Sequence, residues 1–421
     1  MNSLNEQFSQ RLSVLEKEYK NYLEEPMDLN ITRGIPSVNQ LALSEPMLGL
    51  LYKPEDFLSQ GNIDIRNYGE LTGISEAKEL FSTILGATSK ETLIGGNSSL
   101  SLMYLVLTSK LFTSPSSWNA EKSVKFLCPS PGYDRHFSMT EKLGIEMIPI
   151  KMDENGPDMD EVERLVSKDA AIKGIWCVPT YSNPTGIIYS DEVVDRLAKM
   201  KTRASDFTIM WDNAYAVHHL TNDTRVAKNI LAACKKAGYP ERPWMFCSTS
   251  KITFPGAGVS AIAASEKNIK LLSNELSYQT IGYDKLNQMR HVKFLNNSNQ
   301  IAKHMEKHAS ILKPKFDLIQ KKLNERFKES NLLTWTNPKG GYFVHLTTLD
   351  GCATEIVKSL DKIGVKVTKA GATYPNGNNP KDNSIRLAPT SVELADLEKA
   401  MDIIGLCIEM ISLKKVILVR N

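Results

Sequence analysis

The stretch WMFCSTSK (residues 244–251) combines a short apolar run with small hydroxyl residues and a lysine, Lys251. Similar apolar runs recur along the chain at residues 124–128, 145–150, 172–178, 207–211 and 259–263. Strands that are covered on both faces of a sheet have this nearly continuous apolar pattern. The sequence therefore predicts a buried sheet, with Lys251 directly after one of its strands.

Helical patterns lie between these runs, for example at residues 158–166 and 191–200. Alternation of strand and helix is typical of an α/β domain with a mainly parallel sheet. After about residue 284 the pattern changes to long charged helices, and a second α+β segment follows towards the terminus. We expect a large α/β domain and a smaller α+β domain that pack as one unit.

The composition of the 421 residues is ordinary for a globular protein, and the net charge of +3 gives no electrostatic reason to expect nucleic-acid or membrane partners. The first 22 residues are charged and lack the apolar core of a secretory signal. Charged residues also interrupt the apolar segment 402–419, so we do not expect it to span a bilayer.

The six cysteines contain no C-x-x-C pair. Cys128 and Cys177 end apolar runs, which favours buried thiols over disulfides. These features predict a cytoplasmic protein, and the sequence indicates no metal site.

Lys251 is the first candidate for chemistry, because a partly desolvated amine at a strand end can form a Schiff base. Asp212 follows the run 207–211, and such a carboxylate can pair with a protonated pyridine nitrogen or simply cap a turn. Tyr215 and Asn183, the latter in the turn NPTG (183–186), offer hydrogen bonds to a ring oxygen. A purely structural turn would explain NPTG equally well.

Three further segments supply candidate ligands. GGNSS (95–99) precedes an apolar helix, where it can hold a phosphate or serve as an ordinary helix cap. Tyr133 follows the Pro-rich strand end and can lie against an aromatic ring or within the core. Arg386 lies in an apolar run, which suggests a carboxylate partner from either a substrate or the protein.

In this order, the segments resemble the fold-type I pyridoxal-phosphate aminotransferases, over about residues 28–389. The stretches RNYG (66–69), PGYDRH (131–136), DKLNQ (284–288) and PKGGYF (338–343) are similar to the divergent Ic subgroup of aspartate aminotransferases. The resemblance implies an N-terminal arm and part of the small domain in 1–65, a large cofactor-binding domain in 66–304 and a small domain in 305–421.

The resemblance also implies roles for individual residues. Lys251 carries pyridoxal 5′-phosphate as a Schiff base and moves the substrate proton, and Arg386 binds the substrate α-carboxylate beside Asn183 and Gly34. Around the cofactor it places Asp212 at the pyridine nitrogen, Asn183 and Tyr215 at the ring oxygen, Tyr133 on the ring, and Asn97, Ser98, Ser99, Ser248 and Ser250 at the phosphate. Tyr68 is implied to reach the phosphate of a neighbouring subunit in a homodimer.

The resemblance implies transfer of the amino group of an L-amino acid, aspartate or glutamate above all, to a 2-oxo acid. One departure is Gly258, which stands where many relatives have a phosphate-binding arginine. The arginine that reads a dicarboxylate side chain has no clear match, and its candidates are Arg33, Arg66, Arg135 and Arg290. Other activities of the fold stay open: an aromatic or kynurenine-type aminotransferase, a lyase or decarboxylase, or a non-catalytic regulatory protein.

Three other motif matches lack the sequence context that their functions need. GAGVSA (256–261) fits a dinucleotide fingerprint, but a strand-like run follows where that motif needs a helix. STSK (248–251) fits the serine-nucleophile motif S-x-x-K, but its S-D-N and K-T-G companions do not occur, which leaves it as the weakest enzyme alternative. His304 and His308 share a helix face without the glutamate of a zinc protease, so we interpret them as solvated.

Overall fold

The computed structural model describes residues 2–113, 117–120 and 123–420. Its strands are β1 (Leu29–Asn30), β2 (Thr92–Ile94), β3 (Lys125–Ser130), β4 (Glu146–Asp153), β5 (Gly156–Pro157), β6 (Ile172–Cys177), β7 (Thr208–Asp212), β8 (Pro243–Ser248), β9 (Ser260–Ala263), β10 (Leu333–Trp335), β11 (Val344–Thr348), β12 (Val365–Lys366) and β13 (Ser384–Leu387).

The α-helices are α1 (Asn2–Glu24), α2 (Val38–Ala42), α3 (Ser75–Leu85), α4 (Ser99–Thr108), α5 (Asp134–Lys142), α6 (Met159–Val166), α7 (Asp191–Lys199), α8 (Ile230–Ala237), α9 (Glu266–Leu276), α10 (Lys285–Leu295), α11 (Ser298–Phe327), α12 (Ala353–Ile363) and α13 (Leu394–Arg420). Within these described residues, no helix is long and apolar enough to cross a membrane.

Eight strands form the large sheet, in the order β2-β9-β8-β7-β6-β3-β4-β5. The five strands from β8 to β4 are parallel to their neighbours, whereas β2, β9 and β5 pair antiparallel. Every residue of β6 and β7 is buried, because helices cover both faces of the sheet. The predicted mixed, mostly parallel sheet is confirmed, and each of the six apolar runs overlaps a strand.

A second layer is built from both ends of the chain. Strands β10, β11 and β13 form an antiparallel sheet, and β1 pairs with β12, although Leu29 and Val365 are 336 positions apart in the sequence. Helix α1 packs on α13 and α12. The N-terminal segment therefore lies with the C-terminal elements, while the predicted domain limits at 65 and 304 stay predictions.

The long charged region after residue 284 forms α10 and α11, as the sequence pattern predicts. Asn296 ends α10 with a positive φ of 54°, and Asn297 caps α11 by accepting a bond from the amide of Gln300. All six cysteines are buried free thiols, which confirms the prediction for Cys128 and Cys177.

Candidate active site

The candidate residues lie at one edge of the large sheet. Strands β3, β6, β7 and β8 are parallel, so their carboxyl ends lie at the same side, where ligands bind in open α/β sheets. Asp212 ends β7, and Tyr133, Asn183 and Lys251 follow β3, β6 and β8 within a few residues. Residues far apart in the sequence are thereby brought together.

Lys251 points its amine towards two aromatic rings. Its Nζ lies 5.0 Å from the centre of the Tyr215 ring and 5.9 Å from that of Tyr342. Desolvation lowers the pKa of Lys251, while the nearby Asp212 carboxylate raises it. The net lowering increases the fraction of neutral amine, which is the form that acts as a nucleophile or a base.

Asp212 is almost fully buried, and its two carboxylate oxygens have different surroundings. Oδ2 lies 3.0 Å from Nε2 of His136, whose ring stacks on Trp176 at a centroid distance of 4.1 Å. Oδ1 is buried and has no hydrogen-bond partner among the described residues. A buried carboxylate oxygen without a partner is costly, so Oδ1 fits a cationic N–H donor from a ligand.

His136 is a residue that the sequence analysis did not single out. It belongs to the quoted stretch PGYDRH, in which only Tyr133 was given a role. The available signal was its spacing of three residues from Tyr133, the N-cap residue of α5, because the side chains of the N-cap and N3 positions lie close together at the start of a helix. The two rings are in edge contact, with centroids 4.9 Å apart.

Arg386 lies in the middle of β13 with only 5% of its surface exposed. Its Nη1 donates to Oδ1 of Asp134 at 2.8 Å and to Oδ1 of Asn183 at 3.2 Å. The Phe343 ring covers the guanidinium at 4.9 Å, and a Cβ on Gly34 would lie 2.8 Å from that ring. The structure thus brings Arg386, Asn183 and Gly34 to one pocket.

The residues expected to bind a phosphate lie near the start of α4. Ser98 is the N-cap residue, yet its side chain makes no capping bond, so the hydroxyl remains available to a ligand. The Ser250 hydroxyl donates to the carbonyl of Asn97, and Ser248 donates to Ser250 at 3.1 Å. With Ser99 opening the helix, hydroxyls and free amide groups converge where the helix dipole favours an anion.

The loop around Gly258 is closely packed. A Cβ at residue 258 would lie 3.0 Å from the Phe254 carbonyl oxygen and 3.2 Å from Oγ1 of Thr249. The Asn287 amide fills the adjoining space by donating to the carbonyls of residues 257 and 258. Strand β9 follows, which agrees with the rejection of a dinucleotide fingerprint.

The interpretation of His304 and His308 as solvated residues is wrong. Both side chains are buried, and their Nε2 atoms lie 2.8 Å and 3.1 Å from the carbonyl oxygen of Ile252. They share one face of α11, as the spacing predicts, but that face packs on the loop that carries Lys251. Spacing alone identifies a common face and does not reveal what covers it.

Tyr68 lies apart from this group of residues. Its side chain is 79% exposed and lines a surface cleft of about 410 Å³ with Arg66, Gly282 and Lys285. Arg66 is itself paired with Asp64 at 2.6 Å. A role for Tyr68 therefore requires a second subunit and stays a prediction.

Comparisons with known proteins agree with this geometry. A family model described as "Aspartate amino-transferase" matches residues 4–419. The chain belongs to the aspartate aminotransferase family. A Mycolicibacterium smegmatis aminotransferase is 44% identical over 404 residues, which are 94% of each chain. The aspartate aminotransferase of Corynebacterium glutamicum is 39% identical over 414 residues, covering 96% of this chain and 95% of the relative.

A solved structure gives the same result. The crystal structure of an aspartate transaminase from Corynebacterium glutamicum superposes with a TM-score of 0.94, at 38% identity and with 97% of each chain covered. The predictions of an aminotransferase and of the fold-type I architecture are confirmed. The roles of individual residues, the homodimer and the cytoplasmic location stay predictions.

Proposed function

We propose that this aminotransferase holds pyridoxal 5′-phosphate at Lys251 and transfers the amino group of L-aspartate or L-glutamate to a 2-oxo acid. One observation carries the choice of cofactor: the desolvated amine of Lys251 lies near the buried Asp212 carboxylate, whose Oδ1 is unpaired. The choice of a dicarboxylic substrate is supported by the relative from Corynebacterium glutamicum, which is named an aspartate aminotransferase.

The donor set fits the cofactor. Oδ1 of Asp212 would accept from the ring nitrogen, and Tyr133 would cover the ring. The Asn183 carbonyl oxygen already accepts from Arg386, which leaves its amide N–H groups for the ring oxygen. Tyr215 would donate to the same oxygen, and its hydroxyl stays protonated because desolvation raises its pKa. The phosphate would be held by Asn97, Ser98, Ser99, Ser248 and Ser250, and Gly258 contributes no cation.

When bound, the cofactor supplies an electron sink that stabilises negative charge at the substrate Cα. The carboxylate of Asp212 keeps the ring nitrogen protonated, and His136 orients that carboxylate through Oδ2. The guanidinium of Arg386 binds the substrate α-carboxylate and thereby fixes the position of Cα. The neutral amine of Lys251 then removes the Cα proton and holds it for return.

A homodimer would complete the site, with Tyr68 reaching the phosphate of the neighbouring subunit. This assembly is part of the proposal. Its support is the high exposure of Tyr68, which makes the side chain available to a second chain.

The test is a steady-state assay with L-aspartate and 2-oxoglutarate, in which oxaloacetate is measured. L-tyrosine and L-kynurenine serve as alternative donors. We expect the highest kcat/KM with aspartate or glutamate, and parallel lines in double-reciprocal plots, because one amino transfer must finish before the next begins. A preference for the aromatic donors would keep the family and overturn the dicarboxylic specificity.

A further inference from the structure

The ion pair between Arg386 and Asp134 is not explained by the roles given so far. Asp134 is the first residue of α5 and lies next to Tyr133 in the stretch PGYDRH. Its Oδ1 lies 2.8 Å from Nη1 of Arg386, and its side chain is 35% exposed. A carboxylate of the protein therefore binds the same guanidinium that the proposed function assigns to the substrate.

The other groups that contact the guanidinium carry no charge. Asn183 accepts from Nη1 at 3.2 Å, Thr368 Oγ1 accepts from Nε at 3.2 Å, and the Thr32 carbonyl accepts from Nη2 at 3.4 Å. Among the described residues, Asp134 is the one carboxylate within ion-pair distance of Arg386. Since a buried cation without a counter-charge is strongly destabilising, Asp134 stabilises the folded protein.

Arg386 has too few N–H groups to keep all its present partners and also bind a substrate carboxylate. A guanidinium has five N–H groups, and a bidentate carboxylate needs two of them on neighbouring nitrogens. Asp134 and Asn183 take both hydrogens of Nη1, Thr368 takes the one on Nε, and Thr32 takes one on Nη2. One N–H is left. A substrate α-carboxylate must therefore displace one of these acceptors.

Asp134 is the acceptor that is displaced most readily. Asn183 and Thr368 are buried, and Thr32 accepts through its main chain, whereas a third of the Asp134 side chain is exposed to water. Displacement of Asp134 also removes the like charge that would otherwise lie beside the incoming carboxylate. Once displaced from Arg386, the Asp134 carboxylate is solvated, because its side chain already faces water.

We propose that Asp134 competes with the substrate α-carboxylate for Arg386, so that it lowers the affinity for amino-acid and 2-oxo-acid substrates while it stabilises the protein. This inference rests on the proposed function, because it takes Arg386 as the carboxylate-binding residue. It makes Asp134 a positioning residue that acts through Arg386 and sets KM rather than kcat.

The test is the variant Asp134→Asn, which keeps the shape of the side chain and removes its charge. We expect KM for L-aspartate and for 2-oxoglutarate to fall about tenfold, a change worth about 1.4 kcal/mol, with kcat within about twofold of wild type. Asp134→Ser, which removes the same charge with a smaller side chain, is made in parallel. Chloride-free buffer prevents a buffer anion from replacing the lost carboxylate.

A second measurement does not depend on turnover. Succinate, a dicarboxylate without an amino group, is titrated into each protein while the thermal midpoint is followed. Without succinate, we expect Tm of Asp134→Asn to lie below that of wild type, because Arg386 has lost its counter-charge. Succinate should then raise Tm more in the variant than in wild type, since at a given concentration the ligand that binds more tightly stabilises more.

The matched control is Asp195→Asn in α7. Asp195 pairs with Lys228 at 2.7 Å and its side chain is 36% exposed, so the charge, pair length and exposure resemble those of Asp134. This variant should leave KM and the succinate response unchanged. KM values that are unchanged or raised in Asp134→Asn, or an unchanged succinate response, would overturn the competition.

The two proposals fail in different ways. If wild type transfers no amino group from any donor, the proposed function fails. A larger succinate response in Asp134→Asn would still support competition for the carboxylate-binding position in that case. An equal response in both proteins would reject it.

Discussion

Nε2 of His136 lies 3.0 Å from Oδ2 of Asp212, and both side chains are almost fully buried. Stacking on Trp176 fixes the imidazole in the plane that aims Nε2 at the carboxylate. One oxygen of Asp212 is thereby held by the protein, and the other, Oδ1, is left for a ligand. This arrangement is the basis of the first prediction.

His136→Phe keeps a ring against Trp176 and removes the bond to Asp212. We expect kcat to fall roughly 10- to 100-fold, because a lost bond to a buried charged group costs about 1.5–3 kcal/mol, and KM to change little. His136→Gln, whose amide can donate to the same oxygen, should recover part of the loss. Equal rates in wild type and His136→Phe would refute the orienting role.

Lys251→Ala should abolish turnover and remove any visible absorption band that the protein shows with pyridoxal phosphate. The physical reason is the loss of the amine that acts as nucleophile and base at the end of β8. Lys110→Ala is the control, since burial lowers the pKa of Lys110 as well. That variant should keep both the band and the activity. Substantial turnover in Lys251→Ala would contradict the assignment.

Gln40→Ala should destabilise the protein through the loop that carries Lys251. Gln40 is fully buried and donates to the Tyr342 hydroxyl at 2.9 Å, and it lies 3.1 Å from Nδ1 of His308. Its loss removes the partner of His308 Nδ1 and of the Ser37 backbone N–H, whereas the Tyr342 hydroxyl keeps its bond to the Lys251 carbonyl. The expected cost is roughly 2–4 kcal/mol. The urea midpoint should fall accordingly, whereas Gln279→Ala on the surface should leave it unchanged. An unshifted midpoint would show that the hydrogen bonds of the Gln40 side chain contribute nothing to stability.

Acid should weaken the fold through buried histidines. Burial lowers the pKa of His291, His308 and His345 to about 4, below the ordinary value near 6.5 in an unfolded chain. Below pH 6.5 the unfolded state therefore binds more protons than the folded state. The free energy of unfolding should fall as the pH drops from 6.5 to 4, by up to about 1.4 kcal/mol per pH unit for each histidine.

The variant His345→Gln tests this account, because glutamine can keep a bond to Ser384 and does not titrate. Urea unfolding at several pH values gives the free energy of unfolding of each protein as a function of pH. Between pH 4 and 6.5, the free energy of unfolding should fall less steeply with decreasing pH in the variant than in wild type. The difference is the contribution of one histidine. Identical slopes would mean that His345 does not remain neutral in the folded protein.

The sequence predicted much of the large sheet, because apolar runs covered on both faces are local signals. Strands β2 (Thr92–Ile94) and β5 (Gly156–Pro157) were missed, since three and two residues are too few to form a pattern. Asp212, Lys251 and Arg386 also stand out in the sequence, but their proximity depends on how β7, β8 and β13 pack together.

The contacts that connect these residues could not be read from the sequence. His136 meets Asp212 across 76 positions, and Asp134 meets Arg386 across 252. Such pairs are selected by the packing of α5 and β13 against the sheet, and no spacing rule reports them. The burial of His304 and His308 was missed for the same reason, because it depends on which loop covers α11.

The most direct test of the central claim is the absorption spectrum of the purified protein with pyridoxal phosphate. The account predicts a visible band that L-aspartate alone removes and that 2-oxoglutarate restores. This cycle requires the cofactor, Lys251 and two half-reactions with dicarboxylic substrates. Absence of a band after incubation with the cofactor would contradict the account, and a band that responds to neither aspartate nor glutamate would contradict the substrate.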